Sequence, residues 1–413
     1  MNFRGVLIGA AAAALVCPAW GQPEPYLRVV EDNDGLVQRL EVATRTLTRE
    51  GAPTIELVGA IHIADAAYYR RLQEILDGHE IVLFEAVRPA GAGDGSPIPE
   101  GLDDAERARL TERRIRFVGS AVEAYRRAHG TGPACADEFR EGVPGKLRPM
   151  LEHSLTDFWG RALVLEFDGE GGVDVVSLGS DGTPGGEDFA ADLRLSAQEP
   201  LTPAERGEQM NLQQRLARAL GLTYQMDGID YARPNWRNSD LSMDQVRQAV
   251  GDDAQARTLF SMLEGSSFMG RMAGAVLGMI EGNPRMAASL KLMMLSTLSQ
   301  ADAALTQAGP EMSRLLRVIL DDRNEVVVRD VARIVEYEPH VSSVAVFYGA
   351  GHMAALESRL RAELGYRVGP TRWIEAIRAD LREAGMSADQ ARAMQETLRR
   401  MTERRGGVSS GGS

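Results

Sequence analysis

Three side chains carry most of the chemistry this sequence offers: His62, Glu85 and His352. His62 ends the G-x-x-H run Gly59-Ala60-Ile61-His62, which follows the apolar residues Ile55, Leu57 and Val58. His352 ends a second such run, Gly349-Ala350-Gly351-His352, which follows Val344 to Tyr348. Glu85 closes the apolar stretch Ile81-Val82-Leu83-Phe84. Two imidazoles and a carboxylate, each just past a strand, are donors for a divalent transition metal (Mn, Co or Zn) or for one activated water. An ion there would lower the pKa of its water and polarise a scissile carbonyl, so the reaction would be hydrolysis of an amide or ester. Glu85 would either ligate or act as base. The plainer alternative is that each is an ordinary loop residue; the repetition of the pattern favours chemistry.

The elements that must position these groups follow from the flanking residues. Asp65 is placed to cap a helix whose apolar positions Tyr68, Leu72, Ile75 and Leu76 fall at helical spacing. A strand–helix–strand unit of this length is normally a parallel, right-handed crossover. His62 and Glu85 are thereby expected at the carboxyl ends of neighbouring strands, the edge where open α/β sheets bind ligands. Tyr26 to Arg49 alternates in places, as antiparallel strands do. The expected fold class is α/β (α+β): a mixed, mainly parallel sheet with flanking helices and a helical subdomain. Leu212 to Leu220 reads as a helix and Leu222 to Tyr224 as a short strand. Tyr231, Trp236, Arg237 and Asp240 fall in an irregular loop, either lining the site or merely packing; Asp240 also suits a helix cap. Residues 244–319 read as helical, with seven Met between 262 and 294. Those Met are either bundle core or, through Met269 and Met272, a peptide groove. Trp373 to Leu381 reads as a helix, and Ser387 with Gln390 as a capping box.

In combination, GAIH, IVLFEAV, the pair Arg323-Asn324 and GAGH at 349–352 resemble the TraB/PrgY/GumN/TIKI family. The resemblance covers about residues 35–90 and 196–375. It implies the fold of erythromycin-esterase-like and ChaN-like proteins and metal-dependent hydrolysis, the animal members being metalloproteases. On this resemblance Arg323 joins His62, Glu85 and His352 in the catalytic set, pairing with a carboxylate or stabilising an oxyanion.

A second module interrupts that pattern. A helix is expected from Asp104 to about Ala128, a short one near Leu147 to Leu151, and strands at Leu163 to Leu165 and Val173 to Leu178. The stretch 162–193 has eight carboxylates, no Lys or Arg, and seven Gly between 169 and 186. Carboxylates crowded in a tight loop either stay solvated or bind a hard cation such as Ca²⁺. AVEAYRRAHGTGP, DFWG and SLGSDGTPGGEDFAADL are similar to the type II secretion major pseudopilin, whose S-x-G-x-D-G-x-x-G-G loop holds calcium. The resemblance implies Asp181 and Asp188 as side-chain ligands, the Leu178 carbonyl as a third, and Asp192 as a further one. Phe158 departs from the usual Pro, and the long apolar pilin helix is missing, so the module is read as an insert that docks rather than polymerises.

Composition bounds the rest. A net charge of −13 over 413 residues argues against a nucleic-acid partner. Residues 1–21 read as a signal peptide: Arg4, an apolar run from Gly5 to Val16, and Ala19-Trp20-Gly21 at the cut. A lipoprotein signal on Cys17 is the alternative. No later apolar run reaches the roughly 18–20 residues of a membrane span. Cutting the signal leaves Cys135 alone, without an internal disulfide. The expected organisation is signal 1–21, main fold 22–100, insert 101–195, main fold 196–385 and C-terminal helix and tail 386–413. The expected function is an exported, periplasmic or secreted hydrolase acting on a peptide or protein. The alternatives are a peptide-sequestering protein without turnover, or an accessory of type II secretion components.

Overall fold

A computed structural model describes residues 24–86, 89–93, 97–144, 147–202, 212–242, 280–299 and 317–387, with a few isolated positions besides. The signal peptide, Cys17, Met269, Met272 and the C-terminal tail lie outside the described residues. The chain runs β1 (Leu27–Glu31), β2 (Val37–Thr48), β3 (Thr54–Ala60), β4 (Ile63–Ala64), α1 (Ala66–Leu76) and β5 (Ile81–Phe84). It continues with α2 (Asp104–His129), α3 (Ala136–Gly142), α4 (Arg148–Glu152), β6 (Val164–Phe167), β7 (Val173–Ser177) and β8 (Leu193–Arg194). Then come α5 (Leu212–Ala219), β9 (Thr223–Tyr224), α6 (Gln225–Gly228), β10 (Trp236–Asn238) and α7 (Pro284–Ser299). After a π-helical turn, Arg317–Asp322, the chain ends its described course as α8 (Arg323–Tyr337), β11 (Ser343–Gly349), α9 (Ala350–Leu364) and β12 (Arg367–Asp380).

The main sheet has the order β1-β2-β3-β11-β5-β10, with β12 paired to β2. It is mixed: β2 is antiparallel to β1, β3 and β12, whereas β3, β11, β5 and β10 all run parallel. The long β2 pairs with β12 along one edge and divides the other between β1 and β3. Helices cover the faces with apolar stripes, such as Tyr68, Tyr69, Leu72, Ile75 and Leu76 of α1. The central strands are buried on both faces and read as continuous apolar runs for that reason.

Three expectations change here. β3 and β5 are not neighbours, because β11 lies between them and pairs with both. Local sequence reveals a crossover but not a third strand arriving from far along the chain. Residues 373–380 are strand rather than helix. β12 carries an irregularity between Glu375 and Ile377. It leaves Ala376 and Ile377 both buried, which spoils the alternation and imitates helical spacing. Asp65 stands at the N-cap of α1, but its carboxylate accepts from the Arg378 backbone N–H of β12 instead of capping. The Ser387–Gln390 capping box forms as expected. Met286 and Met293 are exposed, and Met294 packs against the core.

The insert has a core of its own. Ile115, Val118, Val122 and Tyr125 of α2 meet Phe139, Leu151, Leu163 and Val175. Its small antiparallel sheet runs β6-β7-β8. Helix α2 starts at an Asp103–Glu106 capping box and ends on left-handed Gly130. Ala92 and Gly93, which precede it, are held against the insert. Ala92 packs against the insert's core, and the Gly93 N–H donates to Ser154 Oγ at 2.7 Å. A Cβ on Gly93 would lie 2.1 Å from the His153 carbonyl oxygen, so the approach demands glycine.

Candidate functional site

Four parallel strands bring their carboxyl ends to one rim, and each delivers one candidate group. In order across the sheet, β3 leads to His62, β11 to His352 in the first turn of α9, β5 to Glu85 and β10 to Asp240. The sequence-chosen trio is thus brought to one place. His62 is near enough to act electrostatically on both Glu85 and His352. His352 Nε2 lies 3.9 Å from Glu85 Oε1.

Arg323, the first residue of α8, binds the two acidic columns together. Its Nη2 donates to Glu85 Oε1 at 2.6 Å and to Asp240 Oδ2 at 2.6 Å, and its Nε donates to Asp240 Oδ1 at 2.8 Å. The second Glu85 oxygen accepts from the Gly349 N–H at 2.5 Å. Burial pushes the Glu85 carboxyl up, but Arg323, His352, the Gly349 N–H and His62 together hold it below its ordinary value. Asp240, with no side-chain exposure, goes the other way: burial raises it, Arg323 offsets this only in part, and Glu85 adds repulsion. Arg323 is raised well above its ordinary value. Of the two roles expected of Arg323, the structure shows the pairing with carboxylates: its Nε and Nη2 are taken up by Glu85 and Asp240. Asp240 stands at the site as the partner of Arg323, and its Oδ1 also accepts from the Leu241 N–H at 2.7 Å.

The imidazoles are each held from behind by a carboxamide. His62 Nδ1 lies 3.1 Å from Gln225 Oε1, and Gln225 Nε2 donates to the Tyr231 hydroxyl at 2.9 Å. His352 Nδ1 lies 2.8 Å from Asn324 Oδ1. The short strands β4 and β9 register the first pair: Ile63 pairs with Tyr224, and the Gln225 N–H donates to the His62 carbonyl. Tyr69 and Tyr68 donate from α1 to the carbonyls of Ile61 and Gly59, fixing the first G-x-x-H turn. Sequence reading passed over Gln225 because nothing local marks a glutamine as the partner of a histidine 163 positions away.

Gly349 earns its place by crowding. A Cβ there would sit 3.1 Å from Glu85 Oε2. Gly349→Ala is expected to displace Glu85 and cost about 1–2 kcal/mol, as overpacking does; a thermal melt reads it.

Burial lowers the His352 imidazole from its ordinary 6.5 to about 4; Glu85 opposes this, while Arg323 and His62 add to it. The unfolded chain takes up a proton near 6.5, the folded one only near 4. Stability from this group is therefore complete above 6.5 and drains away as pH falls toward 4. The loss should reach about 2–3 kcal/mol, read as a fall in urea midpoint that shrinks in His352→Asn.

In the insert the acidic stretch is less bare than its composition suggests. Arg161 and Arg194, just outside the stretch, serve it from both ends. Arg194 pairs with Glu166, Asp174 and Asp192, and Arg161 donates to the Gly179 and Ser180 carbonyls. The expectation of unpaired, mutually repelling carboxylates is corrected to that extent. Among the sequence-chosen ligands, Asp181 accepts from the Thr183 N–H and hydroxyl, Asp192 from the Gly185 N–H, and the Leu178 carbonyl from the Gly182 N–H. Asp188 adopts a left-handed conformation, φ 50°, and its carboxylate has no partner among the described residues. The donors are all oxygens, which suits a hard cation.

Among the described residues no group of three or more His, Cys, Asp or Glu side chains is arranged to hold a metal ion. At the rim, both Glu85 oxygens are occupied by Arg323 and the Gly349 N–H. The donor types nonetheless suit a transition metal: two imidazoles with Nδ1 engaged elsewhere, and a carboxylate beside them. Also among the described residues, no helix is long and apolar enough to cross a membrane.

Comparison with known proteins bears on the insert. Residues 101–196 match the type II secretion system protein G family. The chain is 30% identical over 105 residues to the type II secretion system core protein G of Xanthomonas campestris pv. campestris, covering 24% of this chain and 73% of that protein. No solved structure matches the chain. Through the module at residues 101–196, this chain belongs to the type II secretion system protein G family.

Proposed function

We propose that this is an exported protein that docks onto type II secretion components through its protein G-like module. The observation that carries this reading is the match over residues 101–196 to a module with its own core. Asp181, Asp188, Asp192 and the Leu178 carbonyl would hold Ca²⁺, which would fix the shape of the exposed loop for docking. The test is capture of purified protein G-type pseudopilin by the full chain, with calcium and with chelator. Capture that is lost in Asp181→Ala/Asp188→Ala supports the reading; no capture under either condition removes it.

A specific observation favours a second activity in the same chain. His62, His352, Glu85 and Arg323 gather at the carboxyl rim of parallel strands, as the TraB/TIKI resemblance implies. We read this rim as a hydrolytic site for peptide amide bonds. A divalent metal (Mn, Co or Zn) bound by His62, His352 and Glu85 would supply a Lewis acid and an activated water. Arg323 keeps Glu85 ionised, and burial keeps His352 neutral at neutral pH. A rim that binds peptide without turnover is the rival. A peptide-library assay with added Mn²⁺, Co²⁺ or Zn²⁺ separates them: cleavage by wild type and none by His352→Ala supports hydrolysis, and binding without cleavage supports sequestration.

A further inference from the structure

We infer that Gln225 and Asn324 are positioning residues that hold His62 and His352 as Nδ1–H tautomers, leaving each Nε2 a bare lone pair, with that of His352 facing Glu85. This rests on reading the rim as a site.

The argument starts from the acceptors. A carboxamide oxygen only accepts, so a ring nitrogen 3.1 Å from Gln225 Oε1 or 2.8 Å from Asn324 Oδ1 must carry the proton. At the other end of the Gln225 amide, Nε2 donates to the Tyr231 hydroxyl. With Nδ1 protonated, a neutral imidazole presents Nε2 as a bare lone pair. The 3.9 Å between His352 Nε2 and Glu85 Oε1 agrees, since a protonated Nε2 would close to hydrogen-bond distance on a carboxylate.

The choice of amides matters. A carboxylate behind the ring would favour the imidazolium; a neutral amide fixes the tautomer without adding charge beside Glu85. Asn324 gives a second indication. It is wholly buried, yet its Nδ2 has no partner among the described residues. A buried amide with half its hydrogen bonds unmade is costly, so a purely structural role would not select it. Only its oxygen is used, and it is used on His352. Two unrelated elements arrive at the same solution: Gln225 follows β9, and Asn324 opens α8 after the π-helical turn.

The test is nitrogen NMR of the full chain labelled at histidine, at mildly alkaline pH. Both rings should show a protonated Nδ1 and a bare Nε2. Asn324→Leu should shift His352 toward the Nε2–H form and leave His62 unchanged, and Gln225→Leu should do the reverse. Asn324→Asp, whose carboxylate still accepts from Nδ1–H, should keep Nδ1 protonated while favouring the imidazolium more than the wild-type amide does. Wild-type rings protonated on Nε2, or tautomers unmoved by both Leu variants, would overturn the inference. If Asn324→Leu does not fold, the wild-type spectrum and Gln225→Leu, at the exposed His62, decide it. Co²⁺ titration separates this from the hydrolase reading. Wild type that binds Co²⁺ should lose about 10- to 100-fold in affinity in Gln225→Leu. Expected tautomers without any Co²⁺ binding would remove the metal-hydrolase reading and leave the positioning role intact.

Discussion

Replacing Arg323 with Met is expected to lower the stability of the main fold by about 3–5 kcal/mol, the cost of breaking a buried charge network by removing one partner. The guanidinium makes three hydrogen bonds to Glu85 and Asp240, and those side chains are 13% and 0% exposed. Without the cation, two carboxylates face each other with little water to screen them. Arg323→Lys should recover only part of the loss, because one ammonium cannot reproduce the fork that spans two acids. Adding Asp240→Asn to Arg323→Met should return some stability, since it removes one of the stranded charges. Urea unfolding of the three variants checks the ordering. If Arg323→Met unfolds at the wild-type midpoint, the network does not hold the rim together.

The second large effect is expected in the insert. Asp157 is fully buried and accepts from the Trp159 N–H, the Arg161 N–H and the Ser177 hydroxyl, at 3.0, 2.9 and 2.7 Å. Asp157→Ala strands all three donors, each worth about 1–3 kcal/mol when left unmade. Allowing for some relaxation, the net cost should be about 3–4 kcal/mol. The damage should spread, because Arg161 also braces the Gly179 and Ser180 carbonyls at the start of the acidic loop. Asp157→Asn should be milder, since its amide oxygen still accepts and its nitrogen can donate to the Ser177 oxygen. Proteolysis of the loop, which follows local opening, should accelerate strongly in Asp157→Ala and weakly in Asp157→Asn.

What the sequence disclosed and what it hid divide along the distance between partners. Apolar runs that stop at Gly59, Phe84 and Gly349 are local signals, and they alone put His62, Glu85 and His352 at strand ends. The same holds for α2, whose stripe and capping box lie within the helix itself. Hidden were the features made by residues far apart. Asp240 looks like an ordinary cap until Arg323 arrives from α8. Gln225 has no local mark at all. The insertion of β11 between β3 and β5 reverses no local rule, yet it changes which strands touch. β12 imitates a helix for a different reason: an irregularity in its pairing puts two consecutive residues inward.

The position of β11 also dictates the order in which the molecule can be completed. Thr54 pairs with Ser343, and Ile81 with Val344, so the middle of the sheet stays empty while nearly all of the chain is being made. Closing so long a loop makes folding slow, because the entropy is lost before the contacts are gained. The insert, whose contacts are local, is free to fold during that wait. Until residues 343–349 arrive, β3 and β5 each present an unpaired apolar edge, the kind of surface that aggregates when left uncovered. A chaperone that shields this gap should therefore raise the yield of the full-length chain more than it raises the yield of the insert.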